Sequence, residues 1–472
     1  VNIVGNLLVS SGVTLTIEPG VTVAFQGEYY LQIEGSLVAD GNATSRIKFT
    51  NNTQTPAEGY WQHIYFKSNS DGGSISYCHF QFGGKAGYFI KSDNVAAGDN
   101  STRSIKENIF EEFYHSNSAT GGGTLVSVDV SNSAGISPCI IENNLFKMDH
   151  INDTGGMAGM YWKAVSGNNC NISKNIFIKD KNTSEYVDGV SLNNSQLKNN
   201  IFVNIDSPIS IYEYSGASTI SNNIIINKQI NKAIRIGGGS PTISNNTIIN
   251  SEIAQLDSNY GVIYLGSTPT NTINPIVNSN NILSSGYLVT VWLTRIQQSS
   301  PLNFENNFWG TTVSSEVSAQ IYDYNDDFNL AEIDYDPYLT SPNTTAPISP
   351  PAGVSQTSSS GNYVISWSAN PESDIAGYKV YYGGYTGYSF SNVKDVGNTT
   401  SYDMTATGLA SYSDSVVAVT AYDINKDGID DQVEGYESWF SILPYTGPIW
   451  YVSKTGGSDD NDGSEDSPFI TI

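Results

Sequence analysis

The segment Asp423–Glu434, DINKDGIDDQVE, carries oxygen-bearing side chains at alternate positions. Asp423, Asn425 and Asp427 offer side-chain oxygens, Gly428 permits a tight turn, and Ile429 offers its carbonyl. Asp431 can act directly or through water, and Glu434 can close the set with two oxygens. This is the donor set and spacing that Ca2+ requires. Asp430 stands where an apolar residue is usual, and no helices flank the segment. The expectation is therefore a calcium loop carried on a strand hairpin; a solvated acidic hairpin tip is the alternative. Asp459–Asp466 is a second acidic turn.

Two further constellations could act on sugars. Asp149 and Asp180 fall at one offset from a recurring Asn, and His150 and Lys181 fall at the next. An acid, a base and a cation on one face are what proton abstraction beside a sugar carboxylate needs. The preceding unit has Phe113 and Tyr114 at those offsets, and stacked polar residues can equally form a solvated face. In AIRIG, VIYLG and VWLTR, alternation turns Arg235, Tyr264 and Trp292 outward between inward aliphatic residues. Tyr212 joins them in one of two registers. Aromatic rings and Arg along a groove suit the C–H faces and hydroxyls of carbohydrate. The plain alternative is that a chain with 30 tyrosines exposes some of them.

The elements that must position these residues are set by an internal repeat. IKENIF (Ile105), IENNLF (Ile141), ISKNIF (Ile172), LKNNIF (Leu197), ISNNII (Ile220), ISNNTI (Ile243), NSNNIL (Asn278) and FENNFW (Phe304) share one pattern. ISYCHF at Ile75 is an earlier copy with Cys78 in the Asn position. Each unit alternates inward apolar and outward polar residues and cannot bury its inner face alone, so coils must stack. The expected Asn ladder is Asn108, Asn144, Asn175, Asn200, Asn223, Asn246, Asn281 and Asn307, each amide bonding to the coils on either side. The fold class that follows is all-β: a right-handed parallel β-helix of about 12 coils. SSEVSAQIYDY, Ser314–Tyr324, reads as a short helix with a Ser N-cap that closes the stack.

Charge limits the partners. There are 21 Lys and Arg against 46 Asp and Glu, a net charge of -25, and charged residues are only 14% of the chain. Phosphate backbones and anionic membranes both call for clustered cations, so neither is an expected partner. No apolar run is long enough to span a bilayer. Three cysteines do not make a disulfide framework. Cys139 and Cys170 lie two residues before the first apolar position of consecutive coils. The spacing between coils allows a disulfide, but two buried thiols are the preferred reading.

The motifs GVTLTIEPG, LQIEGSLVADG, the N-N-x-[IF] units and NNFWG resemble the pectin-lyase-like right-handed β-helix repeat proteins of bacteria. The resemblance covers residues 1–340 and is specific for fold, not activity. Residues 341–351 read as a Pro/Ser/Thr linker. Residues 352–445 resemble a fibronectin type III domain, with Trp367 in strand B, Tyr378 and Tyr381 in strand C, and Ser415 where the family's corner tyrosine falls, Tyr412 nearby. Residues 446–472 resemble the opening of another β-helix, which would make the chain part of a longer surface protein. Two functions follow as expectations. One is a non-enzymatic extracellular or cell-surface scaffold or adhesin that binds polysaccharide or other surface molecules. The other is a polysaccharide lyase or epimerase with an accessory sandwich.

Overall fold

The computed structural model describes residues 1–51, 61–95, 103–113, 123–130, 138–148, 161–179, 186–212, 216–229, 232–252, 261–266, 273–284, 286–291, 301–359, 362–409 and 416–444, with 451–454, 457–458, 463 and 468–470 near the end. The chain divides into two units, Val1–Thr340 and Ser341–Ile472.

The first unit consists of three parallel sheets of 11, 12 and 12 strands. Successive strands visit the three faces in turn, as Cys170–Ser173 on the third face, Ile176–Ile178 on the first and Tyr186–Asn193 on the second. Parallel crossovers of this kind wind right-handed, and the solenoid is a right-handed β-helix. One apolar residue in two points inward, so each coil contributes Ile, Val, Leu or Phe to a continuous core. Phe49, Phe80, Phe110, Phe146, Phe177 and Phe202 stack in that core with ring centroids 4.7–4.9 Å apart, the rise of one coil.

The corner from third to first face holds the Asn ladder. One residue takes a left-handed backbone, as at Asn143, Asn199 and Asn222, and the next turns its amide inward. Asn175 Nδ2 donates back to Ile141 O (2.9 Å) and forward to Asn200 Oδ1 (2.9 Å), which also accepts Asn175 N (3.0 Å). The same bonds recur along the stack, and Cys78 N opens the series by donating to Asn108 Oδ1. Asn280, not Asn281, is the seventh member: Asn246 N donates to its Oδ1 and its Nδ2 donates to Asn307 Oδ1. Val277 pairs with Ile243, so this unit is VNSNNI and its ladder amide falls one residue earlier than expected.

Cys139 and Cys170 form a disulfide, Cα–Cα 4.5 Å, contrary to the thiol expectation. They are register partners on adjoining strands with nothing between them. The next coils put Ser195 and Ser218 in this corner column; Cys170 N donates to Ser195 Oγ and Ser195 N to Ser218 Oγ. Cys78 is a buried free thiol.

After Asn307 the helix Ser314–Ala319 forms, but Val313 is its N-cap and Ser314 lies inside it. Thr311 rather than a serine serves the entry, accepting from Val313 N and donating to Glu316. Ile321–Tyr322 and Ile333–Asp334 then extend the second and third faces.

In the second unit, Ser355–Ser359, Asn362–Ser366 and Ser401–Asp403 form one antiparallel sheet. Asn392–Gly397, Ile375–Tyr382, Val417–Asp423 and Ser441–Ile442 form another. Tyr363, Ile365, Trp367, Tyr378, Val380 and Val419 share the core, which makes the pair a small sandwich. The stretch read as a linker contributes Ile348 to this interior and the buried Ser349 beside it, with Ile348 N donating to Gly435 O and Ser349 N to Glu372. Tyr412 and Ser415 lie outside the described residues. Near the end, Val452 bridges in parallel to Phe469.

Candidate functional site

The second face concentrates polar and aromatic side chains on coils that the ladder keeps in strict register. One outward column runs Ser166, Ser191, Ser210, Arg235, Tyr264 and Thr290. A second column, three residues earlier, runs Lys163, Asp188 and Ser207. Lys232 precedes Arg235 by the same three residues. Between the two columns, Gly189 passes so close to the next coil that a Cβ would lie 2.4 Å from Pro208 O, which fixes glycine there.

Arg235 and Tyr212 come together: the guanidinium sits 5.2 Å from the ring centroid of Tyr212, and Lys163 Nζ approaches the same ring at 5.8 Å. Tyr212 is 41% exposed. Tyr264 follows Arg235 in the column, yet it is only 8% exposed, lying against Gly266 and beneath Lys232, whose Nζ is 4.1 Å from its ring centroid. It points away from the core as expected, but its ring face is occupied by the lysine. Burial raises the Tyr264 hydroxyl above the usual phenol range. Trp292, and the set Asp149, His150, Asp180 and Lys181, lie outside the described residues.

The structure adds residues that the sequence reading passed over. Asp188 is 6% exposed, and burial pushes its carboxyl up to about 6 despite the opposing pull of Lys163, a hydrogen bond from Ser207, and Arg235. Asp206 adds to the rise. Asp206 pairs with Lys179 at 2.9 Å and accepts Val187 N at 2.8 Å. Burial, then the charge of Arg235, lower the Lys232 ammonium. Arg235 Nε is buried with no hydrogen-bond partner. A signal for these residues does exist in the sequence. Aligning KAVSGNN with DGVSLNN places Lys163 beside Asp188, but the Asp-Gly pair reads as a turn when taken alone.

In the second unit the six expected calcium ligands are spread along the loop after Val417–Asp423. Asp423 Oδ1 accepts Asn425 N, Asp427 Oδ1 accepts Ile429 N, and both oxygens of Asp431 accept backbone N–H groups, from Asp427 and Gly428. Asp431–Glu434 is a single helical turn. Among the described residues, no three His, Cys, Asp or Glu side chains lie close enough together to hold a metal ion.

No protein-family model matches the chain, and no curated protein matches it. Among solved structures it is similar to a double mutant of the tailspike protein of E. coli bacteriophage HK620. That likeness has 13% identity and a TM-score of 0.23, over 89% of this chain and 84% of that one. No helix among the described residues is long and apolar enough to cross a membrane.

Proposed function

We propose that the solenoid is an extracellular scaffold that binds carbohydrate on its second face, centred on Tyr212 and Arg235, with Ser166 and Ser191 on preceding coils. The observation that carries this reading is the exposed Tyr212 ring held against Arg235, with the partly exposed hydroxyls of Ser166 and Ser191 in the same column on preceding coils. Sugar polymers also repeat, and a register-locked column can meet successive residues with the same groups. The Cys139–Cys170 disulfide supports an oxidising, extracellular setting. The two-sheet topology of the second unit supports a fibronectin type III module acting as spacer or adhesive unit. Binding of the intact protein to a panel of immobilised glycans tests the reading. A bound glycan whose affinity falls about tenfold with Tyr212→Ala is the expected result; an empty panel overturns it.

One observation favours an enzymatic alternative. Asp188, buried beside Lys163 and Asp206, could pass a proton near neutral pH. Product release from a bound polysaccharide, abolished by Asp188→Asn, would replace the scaffold reading. For the second unit we keep Ca2+ at Asp423–Glu434 as a proposal. It is supported by the ligand spacing and by the buried Asp423 carboxyl, which desolvation, together with the nearby charge of Asp374, raises above its ordinary range. Calorimetric titration with Ca2+ that gives no heat removes it.

A further inference from the structure

Acidic proteins normally cancel their few cations, and this one largely does. Lys67, Lys85, Lys91, Lys106, Lys147, Lys179, Lys379 and Lys426 all pair with carboxylates. Lys48, Lys198, Lys394 and Lys454 make no such pair, but they stand exposed in solvent, where they need none, and the half-buried Arg46, also without a carboxylate, donates instead to Glu107 O. The second face breaks this pattern. Lys163, Lys232 and Arg235 are half-buried, and none makes an ion pair among the described residues. Arg235 is close enough to Lys232 to disfavour the charge on its ammonium. They rest on tyrosine rings, a partial substitute for an anion. Arg235 also keeps a buried Nε–H without an acceptor, which costs stability unless something occupies it.

We infer that Lys232 and Arg235, backed by Lys163, form a subsite for the anionic group of an acidic sugar, a carboxylate or a sulfate ester. The inference rests on the carbohydrate-binding reading above and narrows its ligand. Asp188 tunes the subsite. The charged groups acting on it are Lys163 from the coil before, Asp206 at the start of the coil after, and Arg235 one coil further, with Ser207 bonded to its carboxylate. Lys179 is committed to Asp206. An ionised Asp188 offsets one cation and repels an incoming anion; a protonated Asp188 does neither. Anion affinity therefore rises as pH falls through the range in which Asp188 takes up its proton, about 6.

The test is calorimetry on the full chain with three probes of one length: a uronic acid hexamer, a heparin-derived sulfated hexasaccharide and maltohexaose. The expected result is binding of at least one acidic probe, weakened about tenfold by Lys232→Gln or Arg235→Gln and by raised salt, and strengthened between pH 7 and pH 5. Asp188→Asn should abolish that pH dependence while the protein still melts cooperatively, a readout that loss of folding would not give. Which acidic probe binds separates carboxylate from sulfate. Maltohexaose binding as tightly as the acidic probes, with Arg235→Gln silent, overturns the subsite and leaves the carbohydrate reading standing. Binding of none of the three overturns the subsite; the glycan panel then decides the broader reading.

Discussion

Replacing Asn200 with alanine tests the physical basis of the stack. Asn200 Oδ1 accepts Asn175 N at 3.0 Å and Asn175 Nδ2 at 2.9 Å, and its Nδ2 donates to Ile172 O at 3.0 Å. The substitution removes all three links to the preceding coil, in a corner where the neighbouring ladder amides are also fully buried. Asn175 Nδ2 keeps Ile141 O and Ser173 O, but Asn175 N–H loses its acceptor. At about 1 kcal/mol for each of the two bonds made by side-chain amides, plus about 1–3 kcal/mol for the stranded N–H, the cost is roughly 3–5 kcal/mol. Asn199→Gly is the control. It alters the adjacent residue, whose left-handed backbone glycine adopts freely, and should cost under about 1 kcal/mol. Solenoids can unfold in segments, so the assay is denaturant unfolding combined with amide hydrogen exchange. Asn175 N–H should exchange much faster in Asn200→Ala. If the variant keeps wild-type stability to within about 1 kcal/mol and Asn175 stays protected, the ladder is a by-product of the coil geometry and not a cause of it.

Three other outcomes follow from the same structure. Cys170→Ser opens the link between two coils 31 residues apart in sequence; on chain entropy it should lower stability by about 3–4 kcal/mol, and mass analysis after alkylation without reductant should find one free thiol in the wild type. Burial first, and Lys91 second, lower His63 to about 4, so the fold holds it neutral; stability should be lost as pH falls from 6.5 towards 4, and His63→Phe should flatten that slope in thermal melts. Asp188 works in the opposite sense: its folded value of about 6 lies above the ordinary 3.8, so the folded state holds its proton longer, and stability should fall as pH rises from about 4 to 6, by up to roughly 3 kcal/mol, an effect that Asp188→Asn should erase.

The two kinds of feature differ in how legible they were in the sequence. The ladder could be read because it needs one residue type at one corner in every coil: Asn for the amide, preceded by a residue that tolerates a left-handed turn. The reading slipped at Asn280 because both Asn280 and Asn281 are available in NSNN, and only the pairing of Val277 with Ile243 selects between them. The disulfide was misjudged for a related reason. Spacing put Cys139 and Cys170 in one column, but whether they face each other unobstructed is a property of the register. The cationic patch had no local signature. Lys163, Asp188 and the pair Lys232 and Arg235 lie on three different coils, spread over more than seventy residues of chain, and each is unremarkable in its own segment. They meet because every coil returns the chain to the same face about 4.8 Å further on. In such a scaffold, the core side of each coil is constrained by its neighbours and is written as a repeat. The outward side carries no such constraint, so a site there can change residue by residue without disturbing the stack. Function on this fold is therefore to be sought where aligned coils disagree, and Arg235 and Asp188 stand at two of those places: Ser166, Ser191 and Ser210 give way to Arg235 in one column, and Asp188 stands between Lys163 and Ser207 in the other.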